Sequence, residues 1–306
     1  MKISFVIAVY RNQGSIAKTY EKINELFSDK LRDLDYDIVF VDDGSDDGSL
    51  QEILDIRKSD KRIKAISFTR NFGQMAAILA GLQEVDGDAV INISADMQDP
   101  IDLIPQMIQK WRSGSEIVIC YRTDRSDNFT AKFFSRLAYG ALRISLPQIP
   151  PGGFDYVLID RQALDAFNSI DIRNRFFQGD LLWTGYRTSF IPYVRQKRIV
   201  GKSQYNFEKK LKNFLDGFLD SSYLSIRIIS LIGIIISFLS VLYSISIVVA
   251  WFKGATPFTG FAPIMILILF IGGLILVMLG ILGEYIWRIY DEVRKKPNFL
   301  IRDKYL

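Results

Sequence analysis

Between Ile228 and Phe252 the chain runs 25 residues without a charge, IISLIGIIISFLSVLYSISIVVAWF, and from Phe261 to Gly283 it runs another 23. At about 1.5 Å of rise per residue, either run reaches across a hydrocarbon layer of about 30 Å. A single soluble core seldom demands two such helices in succession, so the pattern predicts two transmembrane helices. The eight residues between them, KGATPFTG, hold one lysine, whereas Arg195 to Arg227 holds eight Lys or Arg and Glu284 to Leu306 holds six. By the positive-inside rule both flanks, and with them both termini, face the cytosol. The expected location is the inner (plasma) membrane, multi-pass. The opening ISFVIAVY is too short for a signal-peptide core followed by a cleavage site and reads as a first strand.

The rest of the chain is that of a large soluble domain. Of its 306 residues 49% are hydrophobic, and the net charge is +4. A single cysteine, Cys120, excludes an intrachain disulfide and a cysteine-cluster zinc site and suits a reducing compartment. The absence of histidine excludes every His-based triad and metal site. No GxGxxG occurs, and GKS at 201–203 lacks the upstream glycine of a P-loop.

Residues 1–200 alternate short apolar strands with helical patterns. The strands are expected at Ile3–Tyr10, Asp37–Val41, Ile63–Thr69, Ala89–Ser94 and Glu116–Tyr121. After Ser15, a candidate N-cap, Ile16, Tyr20, Ile23 and Phe27 recur at helical spacing, and QMAAILAGLQEV reads as another helix. This alternation predicts an α/β fold, a mostly parallel sheet with helices on both faces. Ligands of such sheets bind beyond the carboxyl ends of the strands. Tyr10, Asp42, Asp43, Arg70, Asp96 and Arg122 all fall at or just after those ends.

Two stretches there carry chemistry. In VDDGSDDGS, Val41–Ser49, two acids end a strand and glycines permit a tight turn. In ISADMQDP, residues 93–100, Asp96, Gln98 and Asp99 follow an apolar run. Oxygen-bearing side chains so placed need a positive partner, because burying them alone is costly. Asp99 before Pro100 also reads as an N-cap.

With VIAVYRNQGSI, VDDGSDDGS, RNFGQMAAILAGL, ADMQDP, GGFDYVLIDR and RQKRIVGKSQY in this order, followed by two apolar helices, the chain resembles the polyprenyl-phosphate glycosyltransferases of family 2. These have the GT-A fold, a Rossmann-like sheet, and include bactoprenol glucosyltransferases and dolichol-phosphate mannose synthases. The resemblance implies a nucleotide-sugar donor held by Ala8, Tyr10, Asn12, Asp42 and Asp43 with Arg70 and Arg122. It implies a divalent metal, Mg²⁺ or Mn²⁺, on Asp96 and Gln98, a polyprenyl phosphate acceptor, and a homo-oligomer. Many relatives have an acid two places before the metal Asp, where this chain has Ser94. A hard cation that takes diphosphate oxygens and water manages with fewer carboxylates. The resemblance also makes Asp155 the catalytic candidate, to orient or deprotonate the acceptor phosphate, with Asp180 in FFQGDLLW as a weaker alternative.

The acceptor side is read from amphipathicity and charge. In 201–227, Phe207, Leu211, Phe214, Leu215 and Phe218 recur at helical spacing, which predicts an interfacial helix leading into the first span, 228–252. Phe129, Phe133, Phe134 and Leu137 with Lys132, Arg136 and Arg143 suggest a second such helix, or one packed on the sheet or a subunit. Arg136, Arg198 and Lys202 are candidates for the lipid phosphate. The second span is expected at 261–283 and a basic cytosolic tail at 284–306.

The expected reaction is inverting transfer of a sugar, with glucose favoured and UDP-glucose as donor, to undecaprenyl or another polyprenyl phosphate. Aminoarabinose, mannose and N-acetylhexosamine remain open as the sugar. A processive polysaccharide synthase would carry a Q-x-x-R-W element, and QGDLLW has no arginine before Trp183. A membrane-tethered nucleotide-binding assembly protein without turnover is the other alternative, with Ser94 in its favour. The spans offer little polar lining for a sugar headgroup, and the charged residues lie in their flanks, so they are expected to anchor the enzyme while a separate flippase moves the product. No nucleic-acid partner is expected.

Overall fold

The computed structural model describes residues 1–123, 146–151, 153–172, 175–194 and 262–306, with isolated positions at 140, 143 and between 235 and 253. Eight strands form one sheet: β1 (Lys2–Val9), β2 (Asp35–Asp42), β3 (Ile63–Phe68), β4 (Ala89–Asn92), β5 (Ile117–Arg122), β6 (Tyr156–Asp160), β7 (Thr188–Tyr193) and β8 (Ile301–Tyr305). Their order is β7-β5-β6-β4-β1-β2-β3-β8.

The central strands are nearly continuous apolar runs, as burial on both faces demands. β1 pairs with β2 and β4 in parallel, and β2 with β3. Helices α1 (Ile16–Asp29), α2 (Ser49–Ser59) and α4 (Ile104–Arg112) cover one face, where Ile16, Ile23, Phe27, Ile53 and Met107 pack on Ile3, Phe5 and Phe40. Helices α3 (Gln74–Gln83), α5 (Arg161–Asn168) and α6 (Phe177–Trp183) cover the other, packing on Val6, Val39 and Val157. Gly81 brings α3 so close to Val6 and Val41 that a Cβ there would clash.

The expected α/β fold, mostly parallel with helices on both faces, is what the chain adopts. The five expected strands appear within one or two residues of their bounds, the usual scatter of such boundaries. Three strands come in addition. β6 runs antiparallel to both β4 and β5, so its start, not its end, lies at the carboxyl edge of its neighbours. β7 is an edge strand parallel to β5 and tolerates Pro192. β8 closes the other edge, antiparallel to β3.

Helix α7 (Ala262–Val293) spans 32 residues and continues ten positions past the expected end of the second span. Its portion Phe270–Val293 is long and apolar enough to cross a membrane. It is the one such helix among the described residues, so two spans are not established; most of the run 228–252 lies outside those residues. The expected tail 284–306 is instead divided between the end of α7 and β8. Accordingly Met1–Gly217 and Pro297–Leu306 form one compact unit and Phe218–Lys296 a second. The expected amphipathic helices at 129–143 and 201–227 also fall outside the described residues, apart from isolated positions.

Candidate active site

Strand register alone brings the site together. Val9 pairs with Asp42, Val6 with Asn92, Asn92 with Val157, and Arg122 with Tyr193. The segments after β1, β2, β4, β5 and β7, and the segment before β6, therefore open on one edge of the sheet.

At β2 the Asp42 and Asp43 side chains are both buried. Burial pushes the Asp42 carboxyl above its ordinary value of 3.8, against hydrogen bonds from Ser45 and the charge of Arg302 that pull it down. Asp43 accepts from the backbone N–H groups of Phe72 (2.6 Å) and Gly73 (2.9 Å) and so fixes the loop that leads into α3. Gly44 (φ +67°) lies against the backbone of Arg70 with no room for a side chain. Ala8 is the penultimate residue of β1, and Tyr10 follows the strand. The Tyr10 N–H donates to Asn12 Oδ1 (3.0 Å), and the Asn12 N–H to Ser49 Oγ (2.9 Å). Arg70 is exposed and lies over the Phe72 ring.

The loop after β4 is closed on itself. The Gln98 N–H donates to Asp96 Oδ1 (3.2 Å), the Ser94 N–H to Asp99 Oδ2 (3.0 Å), and Met97 takes a left-handed φ of +58°. Ser15 stands at the N-cap of α1 without capping it. Its hydroxyl lies 2.8 Å from the Asn12 carbonyl and 2.9 Å from the Ala95 carbonyl, tying α1 to this loop. Asp99 likewise is no N-cap, since its two oxygens are engaged by Ser94 and Tyr193.

Asp155 precedes β6, with its backbone held from two sides. Asn92 Nδ2 donates to the Asp155 carbonyl and Gln178 Nε2 to that of Phe154, each at 2.7 Å. Its carboxylate faces the Arg122 guanidinium at 3.5 Å. Arg122 Nε reaches the Tyr193 hydroxyl (3.3 Å), which donates to Asp99 Oδ1 (2.9 Å). Burial and the adjacent Asp99 keep that phenol protonated.

Asp180 is committed elsewhere: it forms a buried ion pair with Arg175 (2.9 Å), whose guanidinium covers Phe167. Burial raises its carboxyl, and Arg175 offsets part of the shift. Arg136, Arg198 and Lys202 lie outside the described residues. Sequence reasoning misses Asn92, Gln178 and Tyr193, because an amide in or after an apolar run carries no mark of its partner and Pro192 obscures the strand that bears Tyr193.

The loop fits a hard divalent cation. Asp96 and Gln98 are oxygen donors, and the buried Ser94 Oγ has no hydrogen-bond partner. Among the described residues no cluster of three or more acids or cysteines could hold a metal unaided. Such a cation would therefore draw most of its ligands from phosphate and water, as Mg²⁺ commonly does.

Residues 4–167 match the model of Glycosyl transferase family 2. The SfII prophage-derived bactoprenol glucosyl transferase of Shigella flexneri is 36% identical over 99% of this chain and 98% of its own. Glucosyl-3-phosphoglycerate synthase of Mycobacterium tuberculosis, solved with Mn²⁺, UDP-glucose and phosphoglyceric acid, superposes with a TM-score of 0.50 at 18% identity, covering 71% of this chain and 79% of that one. The mannosyltransferase PcManGT of Pyrobaculum calidifontis, with GDP-Man and Mn²⁺, does so with a TM-score of 0.50 at 16% identity, covering 71% and 63%. The sheet with its carboxyl-edge acids and the match over more than half of the chain make this protein a member of glycosyl transferase family 2.

Proposed function

We propose that this protein transfers a sugar, with glucose favoured, from a nucleotide sugar to a polyprenyl phosphate at the cytosolic face of a membrane, inverting the anomeric centre. One observation carries the reading: a single sheet edge gathers the Asp42–Asp43 pair, the Asp96–Gln98 loop and the Arg122–Asp155 pair, in a chain that also bears an apolar helix of membrane-spanning length. The likeness to a bactoprenol glucosyl transferase extends over the whole chain, beyond the part that matches the family model.

In this reading Asp42 accepts hydrogen bonds from the nucleoside, with Ala8, Tyr10, Asn12 and Arg70 around it. Asp43 holds the Phe72–Gly73 backbone in place. Asp96 and Gln98 hold Mg²⁺ or Mn²⁺, which when bound stabilises the charge of the departing diphosphate. A phosphate monoester has a second pKa of about 6, so the acceptor arrives largely ionised and needs no strong base. Its oxygen bonds to the anomeric carbon as the bond to the diphosphate breaks, and the electron pair leaves with the nucleoside diphosphate. Asp155, fixed by its backbone clamps and by Arg122, orients the acceptor. Arg122 supplies positive charge beside it, and Arg136, Arg198 and Lys202 are assigned to the lipid phosphate.

Chain topology supports an anchor of paired spans. The chain leaves the sheet-bearing unit after Gly217 and re-enters it at Pro297, where β8 joins the same sheet. Any spans between those points come in even number, so the span in α7 requires another before it, which the run 228–252 would supply. A homo-oligomer and a separate flippase complete the proposal. Incubating the purified protein with radiolabelled nucleotide sugars, including UDP-glucose, GDP-mannose and UDP-N-acetylhexosamines, and undecaprenyl phosphate tests it. Label should move into the lipid fraction from one donor. Binding of donors with no lipid labelling from any of them favours the assembly-protein alternative.

A further inference from the structure

β7 and β4 are separated by β5 and β6, so β7 lies three strand spacings, about 14 Å, from β4. No main-chain hydrogen bond spans that distance, yet a side chain of β7 reaches the loop after β4. The Tyr193 hydroxyl donates to Asp99 Oδ1 (2.9 Å) and lies 3.3 Å from the donating Nε of Arg122. Arg122 in turn faces Asp155. A phenol suits this position because it donates a hydrogen bond to a carboxylate while accepting one from a guanidinium.

The loop it grips needs such a support. Met97 is 5% exposed and left-handed, a conformation that a non-glycine residue keeps when its surroundings over-determine it. The loop is closed by Ser94 N–H on one oxygen of Asp99, and the other oxygen is the one Tyr193 holds. A second tie runs beside it: Tyr156 packs edge-on against Tyr193, with ring centroids 6.1 Å apart, and donates to the Pro100 carbonyl at 3.1 Å. The two tyrosines thus fix consecutive residues at the end of the segment that carries Asp96 and Gln98.

We propose that Tyr193 is a positioning residue that locks the Ser94–Asp99 loop to the Arg122–Asp155 pair, so that cation binding and acceptor orientation depend on one hydroxyl. This deepens the proposed function and rests on its assignment of Asp96 and Gln98 as cation ligands. Without the hydroxyl, Asp99 Oδ1 and Arg122 Nε lose a partner inside the site. The loop then relaxes about Met97, and Asp155 loses its fixed counter-charge.

The test uses the full chain in lipid nanodiscs, with Mn²⁺ affinity measured by electron paramagnetic resonance in the presence of UDP, independently of turnover. Tyr193→Phe keeps the ring and removes the hydroxyl; it should weaken Mn²⁺ binding about 10-fold, the lower end for groups that orient metal ligands. Its kcat should fall more than its KM for donor rises. Asp99→Asn should weaken Mn²⁺ binding to a similar degree, and the double variant should be no worse than the weaker-binding single, because both break one connection. Binding by Tyr193→Phe within twofold of wild type, or effects that multiply in the double variant, overturns the proposal. If Tyr193→Phe fails to fold, Asp99→Asn alone decides, and wild-type affinity there overturns it equally. A wild-type protein that binds no Mn²⁺ with UDP refutes the cation assignment itself, and this proposal with it.

Discussion

The ring of Phe299 lies flat on that of Phe68, with centroids 5.0 Å apart and planes 12° from parallel. A residue that follows the apolar helix is thereby fixed to the end of β3, where the proposed donor side of the site begins. Two hydrogen bonds continue the contact: the Thr69 N–H donates to the Leu300 carbonyl (3.0 Å), and the Arg302 guanidinium donates to the Thr69 carbonyl (3.1 Å). The loop so held, Thr69–Gly73, supplies the two N–H groups on Asp43. Phe299→Ala should cost about 1 kcal/mol through the lost ring pair. Loosening the loop by that much should raise the KM for donor by a factor of about 5, with the KM for lipid unchanged. Thermal melts and steady-state kinetics on the full chain check both.

Asp43 also serves stability. Its carboxylate accepts from the N–H groups of Phe72 and Gly73, the last two residues of the loop ahead of α3, which would otherwise be left without that buried partner. Asp43→Ala should therefore lower stability by about 1–2 kcal/mol in addition to weakening donor binding. Chemical denaturation of the variant, without any substrate, measures the first effect alone.

Asp42 should behave in the opposite sense. Burial raises its folded pKa above the ordinary 3.8, so the ionised form is disfavoured by folding. The stability contributed by this group is complete below the unfolded pKa and is lost as pH rises through the folded pKa. Asp42→Asn should accordingly melt higher than wild type at neutral pH, with the difference shrinking in acid. Donor affinity should follow the reverse course, weakening as acid protonates the wild-type carboxyl and losing that acid limb in the variant. Melting curves and donor titrations over the acid range check the two trends.

Much of the candidate site is legible in the sequence because acids that end apolar runs have few places to go: Asp42, Asp43 and Asp96 emerge where the strand pattern puts them. The connections between them are not legible, since each depends on tertiary reach. Tyr193 acts across three strand spacings, and its own strand is obscured by Pro192. Asp99 reads locally as a cap for the turn at Pro100, whereas closing its own loop and accepting from β7 prevails. IRDKY, residues 301–305, is short and charged, and pairs with a strand more than 230 positions earlier; nothing nearby in the sequence distinguishes it from a tail. Asp155 reaches the site because β6 runs antiparallel, a reversal that strand periodicity does not reveal.

The proposed pair of spans can be checked by cysteine labelling. Cys120, the sole native cysteine, is buried and should contribute little background. With a membrane-impermeant maleimide on intact cells, Thr256→Cys in the loop between the apolar runs should label, and Asn298→Cys ahead of β8 should label only after lysis. Labelling of Asn298→Cys in intact cells would contradict the paired-span anchor.

The most direct measurement of the proposed chemistry is the anomeric configuration of the lipid product. Protein, UDP-α-glucose, Mn²⁺ and undecaprenyl phosphate should yield a glucosyl phosphate whose anomeric proton and phosphorus couplings in NMR identify a β linkage, with no product when EDTA is present. Direct attack by a lipid-phosphate oxygen requires that inversion. A retained α linkage, a sugar attached anywhere other than the lipid phosphate, or full turnover in EDTA would contradict it.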